Sequence, residues 1–182
     1  LPDAQAARLR LLEKRWIEPM SYRQFSNMLD GKSKAGEELR KRNGAADPLR
    51  KTLVIIDEAH KLFAPDVAGS EKPDMEVITA AFDRSRAVSG ADGAKILFMT
   101  ATPYTSQPMD LIRLLNLLRP VAKKFPEDFE AFAAAYLDDS GRFTPEGKLR
   151  YWDEITGYIS YLNREKDLRT FSYPVFHEVQ VP

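Results

Sequence analysis

Cysteine is absent from the 182 residues, which excludes a disulfide scaffold, a thiolate metal site and a cysteine nucleophile, and fits a reducing compartment. No apolar run approaches the roughly 20 residues needed to cross a bilayer. The opening Leu1-Pro2-Asp3-Ala4 has neither the basic start nor the apolar stretch of a signal peptide. A soluble intracellular protein with no membrane partner is expected. Net charge is lacking too, since 27 Lys/Arg offset 27 Asp/Glu. That zero hides an asymmetry: residues 1–51 carry 12 basic against 7 acidic residues, and residues 52–182 carry 15 against 20. Neutrality of the whole therefore does not exclude a nucleic-acid partner. There is no internal repeat and no low-complexity tract.

What is present is the material of a folded core. Hydrophobic residues make up 43% and aromatics 10% of the chain, too many for intrinsic disorder, and the length suits one domain. Leu9, Leu12, Trp16 and Ile17 recur at helical spacing from Asp3 to Glu18, before Pro19. Ser21-Tyr22-Arg23-Gln24 has the form of a capping box, opening a second helix with Tyr22, Phe25 and Leu29 on one face. Residues 30–51 read as a basic surface excursion, with a charged helix over Glu37–Arg42 and a turn at Asn43-Gly44.

Thr52-Leu53-Val54-Ile55-Ile56 has no alternation, the pattern of a strand buried on both faces of a parallel sheet. Pro73 and Asp74 open a helix with the apolar stripe Met75, Ile78, Ala81 and Phe82. After the loop Ser89–Gly93, Ile96-Leu97-Phe98-Met99 is a second buried strand. Strand, helix, strand makes a βαβ unit, whose two strands run the same way. Helices follow from Pro108 to Leu118, from Pro126 with Phe125, Phe129, Phe132 and Tyr136 on one stripe, and from Thr144-Pro145-Glu146 with Leu149, Trp152 and Ile155 inward. Pro174 to Val181 reads as extended.

Asp57-Glu58-Ala59-His60 stands directly after the first strand run. Ligands of open α/β sheets bind outside the carboxyl ends of the strands, so both acids fall where a substrate is expected. Adjacent carboxylates there suit phosphoryl chemistry, one holding Mg²⁺ through its water shell and the other deprotonating the attacking water. The competing reading makes Asp57 a cap and Glu58 a solvated acid. The second strand ends in Thr100-Ala101-Thr102-Pro103, placing two hydroxyls beside the acids if the strands are neighbours.

These two strand-end segments, in this order, resemble motif II (the DEAH-type Walker B element) and motif III of the superfamily 2 helicases and translocases. Thr102-Pro103 followed by Leu114-Leu115-Asn116-Leu117-Leu118-Arg119-Pro120 resembles the Swi/Snf-type translocases. Ser21–Phe25, Gly157–Leu162 and the run from Asp47-Pro48-Leu49 through Thr102 are most similar to the helicase-like ATPases of large DNA viruses, including the poxvirus-type transcription-associated nucleoside triphosphatases. The resemblance implies an α/β, RecA-like parallel sheet flanked by helices, incomplete, with a helical C-terminal extension. It implies a basic helical lead-in over 1–51, a core over 52–120, and an extension reaching the interlobe linker over 121–182. It also implies ATP and Mg²⁺ as cofactors, with Asp57 coordinating Mg²⁺ and Glu58 as the catalytic base. His60, Thr100 and Thr102 would couple nucleotide state to a nucleic-acid groove, DNA favoured over RNA. Partners would be the remainder of the polypeptide and the transcription machinery, in cytoplasm, nucleus or virion.

Against these roles stand plainer ones: His60 as a structural imidazole, and Thr100 and Thr102 as caps of a turn before Pro103. Lys32, Lys34, Arg40, Lys41 and Arg42, with Arg8, Arg10, Lys14 and Arg15, could touch phosphates or form a solvated face of mixed sign, since Glu13, Glu37 and Glu38 are interspersed. The phenylalanine stripe reads as core, and His177 is isolated. The chain departs from the family in having no Gly-x-x-x-x-Gly-Lys-Ser/Thr loop; Gly31-Lys32-Ser33 has Ser26 at the first glycine position and no strand before it, and reads as a basic turn. The arginine motifs of a second lobe are missing too. The reading is thus a piece of an ATP-dependent helicase or translocase, inactive by itself. The alternatives are a catalytically silent helicase-like binding module and, fitting less well, an oligomeric AAA-type ATPase.

Overall fold

The computed structural model describes residues 16–64, 68–103 and 107–161. The helix expected from Asp3, the extended run Pro174–Val181, and Arg8, Arg10, Lys14, Arg15, Leu162 and His177 lie outside the described residues. Trp16, Ile17 and Glu18, the described end of that first expected helix, are not helical.

Helix α1 (Tyr22–Leu29) starts at the capping box expected of it. The Ser21 amide donates to Gln24 Oε1 at 2.9 Å and the Gln24 amide to Ser21 Oγ at 3.3 Å. Helix α2 (Lys34–Asn43) is longer than the charged segment suggested. It is capped by Ser33 and ends at Gly44, whose φ of 98° favours glycine. The excursion is not all surface: Leu39 and Leu49 are buried, and so is Asp47. The Asp47 carboxylate accepts from the Leu49 amide and from the hydroxyls of Ser85 and Ser89, at 3.0, 2.8 and 2.6 Å, which satisfies a charge that burial would otherwise penalise.

Strands β1 (Leu53–Ile56) and β2 (Lys95–Phe98) form a two-stranded parallel sheet, connected through α3 (Met75–Ser89), which is capped by Asp74. The strand–helix–strand unit is therefore as expected, with each strand starting or ending within a residue of its expected bounds. Burial on both faces is not. Register pairs Val54 with Ile96 and Ile56 with Phe98, so these four point to one side, against Ile78 and Phe82 of α3 and Leu114 and Leu117 of α4 (Pro108–Leu118). Leu53 and Ile55 point to the other side, where they are 60% and 49% exposed, with Leu97 and Met99. Alternation is built into every strand; among the described residues, helices cover only one side of the sheet.

Helix α4 is apolar on most sides because it is a shared wall. Leu114 and Leu117 join the sheet cluster, while Ile112 and Leu115 join a second cluster with Phe125, Phe132 and Tyr136. Asn116 locks the turn after it: its amide exchanges hydrogen bonds with the Phe125 backbone and reaches Glu127. Helix α5 (Phe129–Tyr136) begins later than Pro126, with Asp128 as its cap. Phe132 and Tyr136, four apart, turn inward, but Phe129 is exposed, since side chains tilt toward a helix's N-terminus and this one overhangs the first turn. Helix α6 (Pro145–Ile155) is rotated from the expected face: Leu149 and Trp152 are 67% and 53% exposed. Gly147 sets that rotation, because a Cβ there would lie 2.2 Å from the Tyr136 carbonyl oxygen. Tyr151 and Ile155 follow at four-residue steps and carry the packing. Buried Arg119 closes this end, its guanidinium meeting Glu154 at 2.7 Å and lying over the Phe125 ring at 4.1 Å.

No helix among the described residues is long and apolar enough to cross a membrane.

Candidate active site

Because the strands are parallel and in register, their carboxyl ends coincide. The ladder runs one step past each strand: the Met99 amide donates to the Ile56 carbonyl at 2.9 Å, and the Ala59 amide to the Met99 carbonyl at 3.0 Å. The segment Asp57–His60 is thereby stitched to the segment leading into Thr100.

Glu58 has φ 50° and ψ 44°, a left-handed conformation that costs a side-chain-bearing residue about 1–2 kcal/mol. It turns the chain sharply from strand into the 3₁₀ turn Ala59–Leu62. Beside the Ala59–Met99 bond and the Lys61 amide, which donates to the Glu58 carbonyl at 2.9 Å, side chains hold this turn. The Glu58 amide donates to Asp57 Oδ1 at 2.9 Å, and the Tyr22 hydroxyl, on α1, donates to the carbonyls of Asp57 and Glu58 at 2.8 and 3.2 Å. Burial first, then the charges of Asp57 and Glu58, push the Tyr22 pKa above its ordinary value, so the hydroxyl stays a donor. Residue pattern gives no sign of this: it places Tyr22 in a cap, on an apolar face and in the Ser21–Phe25 stretch that carries the resemblance, whereas the contact spans 35 residues.

His60 Nδ1 lies 2.8 Å from Thr100 Oγ1 and 3.3 Å from Glu58 Oε2. The ring nitrogen donates to the Thr100 hydroxyl or accepts its proton according to the tautomer, and the Glu58 carboxylate lies within ion-pairing distance of the same nitrogen. Thr100 Oγ1 also receives the Thr102 amide at 3.1 Å. Glu58, His60, Thr100 and Thr102 are thus one connected group, with Asp57 beside it at the end of β1.

The donor set can be tested for a metal. Among the described residues no group of three or more His, Cys, Asp or Glu could hold an ion. Asp57 is exposed, and its Oδ1 is the oxygen engaged by the Glu58 amide. Hard carboxylate oxygens at an open strand end fit Mg²⁺, which commonly takes one or two carboxylates and draws its other ligands from water and substrate phosphates.

The basic residues lie apart. Lys32 pairs with Asp30, and Arg40 donates to the Leu29 carbonyl at 3.3 Å, bracing the α1–α2 turn. Lys34, Lys41 and Arg42 are exposed on α2. Among the described residues, no hydrogen bond or ion pair joins these five to Asp57, Glu58, His60, Thr100 or Thr102. Gly31-Lys32-Ser33 follows α1 and ends in the α2 cap, the turn expected of it.

Comparison with known proteins finds relatives among the nucleoside triphosphatases and helicases of large DNA viruses. The chain is 32% identical over 77 residues to nucleoside triphosphatase I of Melanoplus sanguinipes entomopoxvirus, covering 42% of the chain and 12% of the relative. It is 27% identical over 139 residues to a termination factor NPH-I homolog of African swine fever virus, covering 73% and 17%. With a putative ATP-dependent RNA helicase of Acanthamoeba polyphaga mimivirus it shares 28% identity over 124 residues, covering 68% and 9%. The chain therefore spans less than a fifth of the length of each of these relatives. No family model and no solved structure matches it. The resemblance to helicase-like ATPases of large DNA viruses thus holds over part of the chain.

Proposed function

We propose that these residues form the acidic side of an ATP-hydrolysis site in a nucleic-acid helicase or translocase, within a partial RecA-like first lobe. The observation that carries the reading is the connected group at the shared carboxyl end of β1 and β2, where Glu58 meets His60 and His60 meets Thr100. Mg²⁺ held there through water would neutralise charge on the transferring phosphate. Asp57 supplies its carboxylate to that ion. Glu58 accepts the proton of the attacking water, its side chain aimed by the left-handed turn and by His60. His60, Thr100 and Thr102 join the two strand ends, so a shift of one segment is felt by the other.

On this reading a phosphate-binding loop comes from outside residues 1–182, since they hold no Gly-x-x-x-x-Gly-Lys-Ser/Thr loop and Gly31-Lys32-Ser33 only leads into a helix cap. The bare side of the sheet, with Leu53, Ile55, Leu97 and Met99, supports a lobe that further chain completes. The relatives' names support a nucleoside triphosphate as substrate and nucleic acid as partner. DNA as the track and a place beside the transcription machinery are parts of this proposal; among the relatives, one is named as a termination factor homolog and another as a putative ATP-dependent RNA helicase. The basic residues of α2 are candidates for backbone contact.

The second reading, a silent binding module, is favoured by the lack of a phosphate loop in these residues. Glu58→Gln in the full-length protein separates the two. Loss of turnover with ATP binding retained supports the ATPase. Hydrolysis at the wild-type rate in the variant overturns it, and a wild-type protein that never hydrolyses ATP supports the silent module.

A further inference from the structure

We infer that Tyr22 is a positioning residue for the Asp57–Glu58 pair, its hydroxyl holding the backbone turn that aims the two carboxylates. This rests on the ATPase reading of the site. One phenolic proton is shared between two consecutive carbonyls, those of Asp57 and Glu58, at 2.8 and 3.2 Å. The second belongs to the residue in the left-handed conformation. A strained backbone persists only where its surroundings over-determine it, and the Tyr22 hydroxyl is a side-chain contact that reaches this one from another element, beside the main-chain bonds of Ala59 to Met99 and of Lys61 to the Glu58 carbonyl.

Helix α1 is suited to hold Tyr22 still. Arg23 donates to the Gly69 carbonyl at 2.9 Å, Ser26 Oγ accepts the Asp74 amide at 3.2 Å, and the Phe25 ring lies 6.3 Å from that of Phe82. The helix is thus fastened to the loop before α3, to the α3 cap and to the core, while its first residue reaches the acids. Tyr22 touches neither carboxylate. It acts through the main chain, which sets where Asp57 and Glu58 point, and small displacements of reacting groups are costly in rate.

The test compares Tyr22→Phe and Glu58→Gln with the wild type, all in the full-length protein. Phenylalanine keeps the ring and removes only the hydroxyl. Turnover of Tyr22→Phe is expected to fall about tenfold with KM for ATP within about twofold, the pattern of a group that matters to the transition state. The melting temperature stays near wild type, and amide exchange quickens over residues 56–62 alone. If Glu58→Gln is dead while Tyr22→Phe keeps wild-type kcat, or loses activity only with a globally lowered melting temperature, the positioning role is overturned and the ATPase reading stands. If Glu58→Gln turns over normally, the reading falls and the role of Tyr22 falls with it.

Discussion

His60 Nδ1 and Thr100 Oγ1 are 2.8 Å apart, although 40 residues separate them in the chain. The contact bridges the turns after two parallel strands. Its imidazole edge also faces the Glu58 carboxylate, and its hydroxyl takes the Thr102 amide. A residue that only capped a local turn would not need the cross-strand partner. A link between a proposed catalytic acid and the chain leaving the next strand is the arrangement that coupling requires.

The two residues should therefore behave as one unit. Thr100→Val, which keeps the shape and removes the hydroxyl, and His60→Ala should each lower the ratio of nucleic-acid-stimulated to basal ATP turnover in the full-length protein. The double variant should lose little more than the worse single one, with an interaction energy of about 0.5–3 kcal/mol, as for residues in one hydrogen-bond network. Losses that simply multiply in steady-state ATPase assays would show that the contact carries no coupling.

How much of this was legible beforehand depends on what each signal can encode. The run Leu53–Ile56 followed by two acids marked a strand end, and Thr100 after the second apolar run marked its neighbour. Parallel pairing then brought them together, as the βαβ pattern required. An unbroken apolar run cannot say which face lacks cover, so it does not foretell the exposure of Ile55. The Leu149, Trp152 and Ile155 pattern and the Gly147, Tyr151 and Ile155 pattern fit a helix equally well. Only the close approach of Gly147 to the Tyr136 carbonyl decides between them. Tyr22 escaped for a related reason, since no local rule relates a tyrosine to carbonyls in a distant segment.

Two exposed carboxylates should leave separable marks on acid stability. Hydrogen bonding to Arg50, with the charge of Lys51, holds Asp92 below the usual carboxylate range. Asp138 is lowered chiefly by the Ser140 hydroxyl and the Arg142 amide. Each folded pKa lies below the unfolded one, so each contribution is fully present above the unfolded value of about 3.9 and is lost as pH falls through the lower folded value. Asp92→Asn and Asp138→Asn should both lower melting temperature near neutral pH and match wild type at the acid end. Added salt should shrink the Asp92 difference and spare that of Asp138, because only the former depends on opposite charges. Equal salt sensitivity in paired melts would refute that division.

Adjacent isoleucines offer the sharpest check on the half-covered sheet. Ile56 is 5% exposed and packs in the cluster with Leu49, Ile78 and Phe82, so Ile56→Ala should cost about 2–5 kcal/mol by urea unfolding. Ile55 is 49% exposed on the other side, and Ile55→Ala in the 182-residue chain should cost about 1 kcal/mol or less, mostly from strand preference. If further chain completes the lobe as proposed, the same substitution in the full-length protein becomes a core truncation, and its cost should rise toward that of Ile56→Ala. An Ile55→Ala cost that is small in both lengths would mean that this side of the sheet faces solvent in the whole protein, and the proposed completion of the lobe over that side would have to be abandoned.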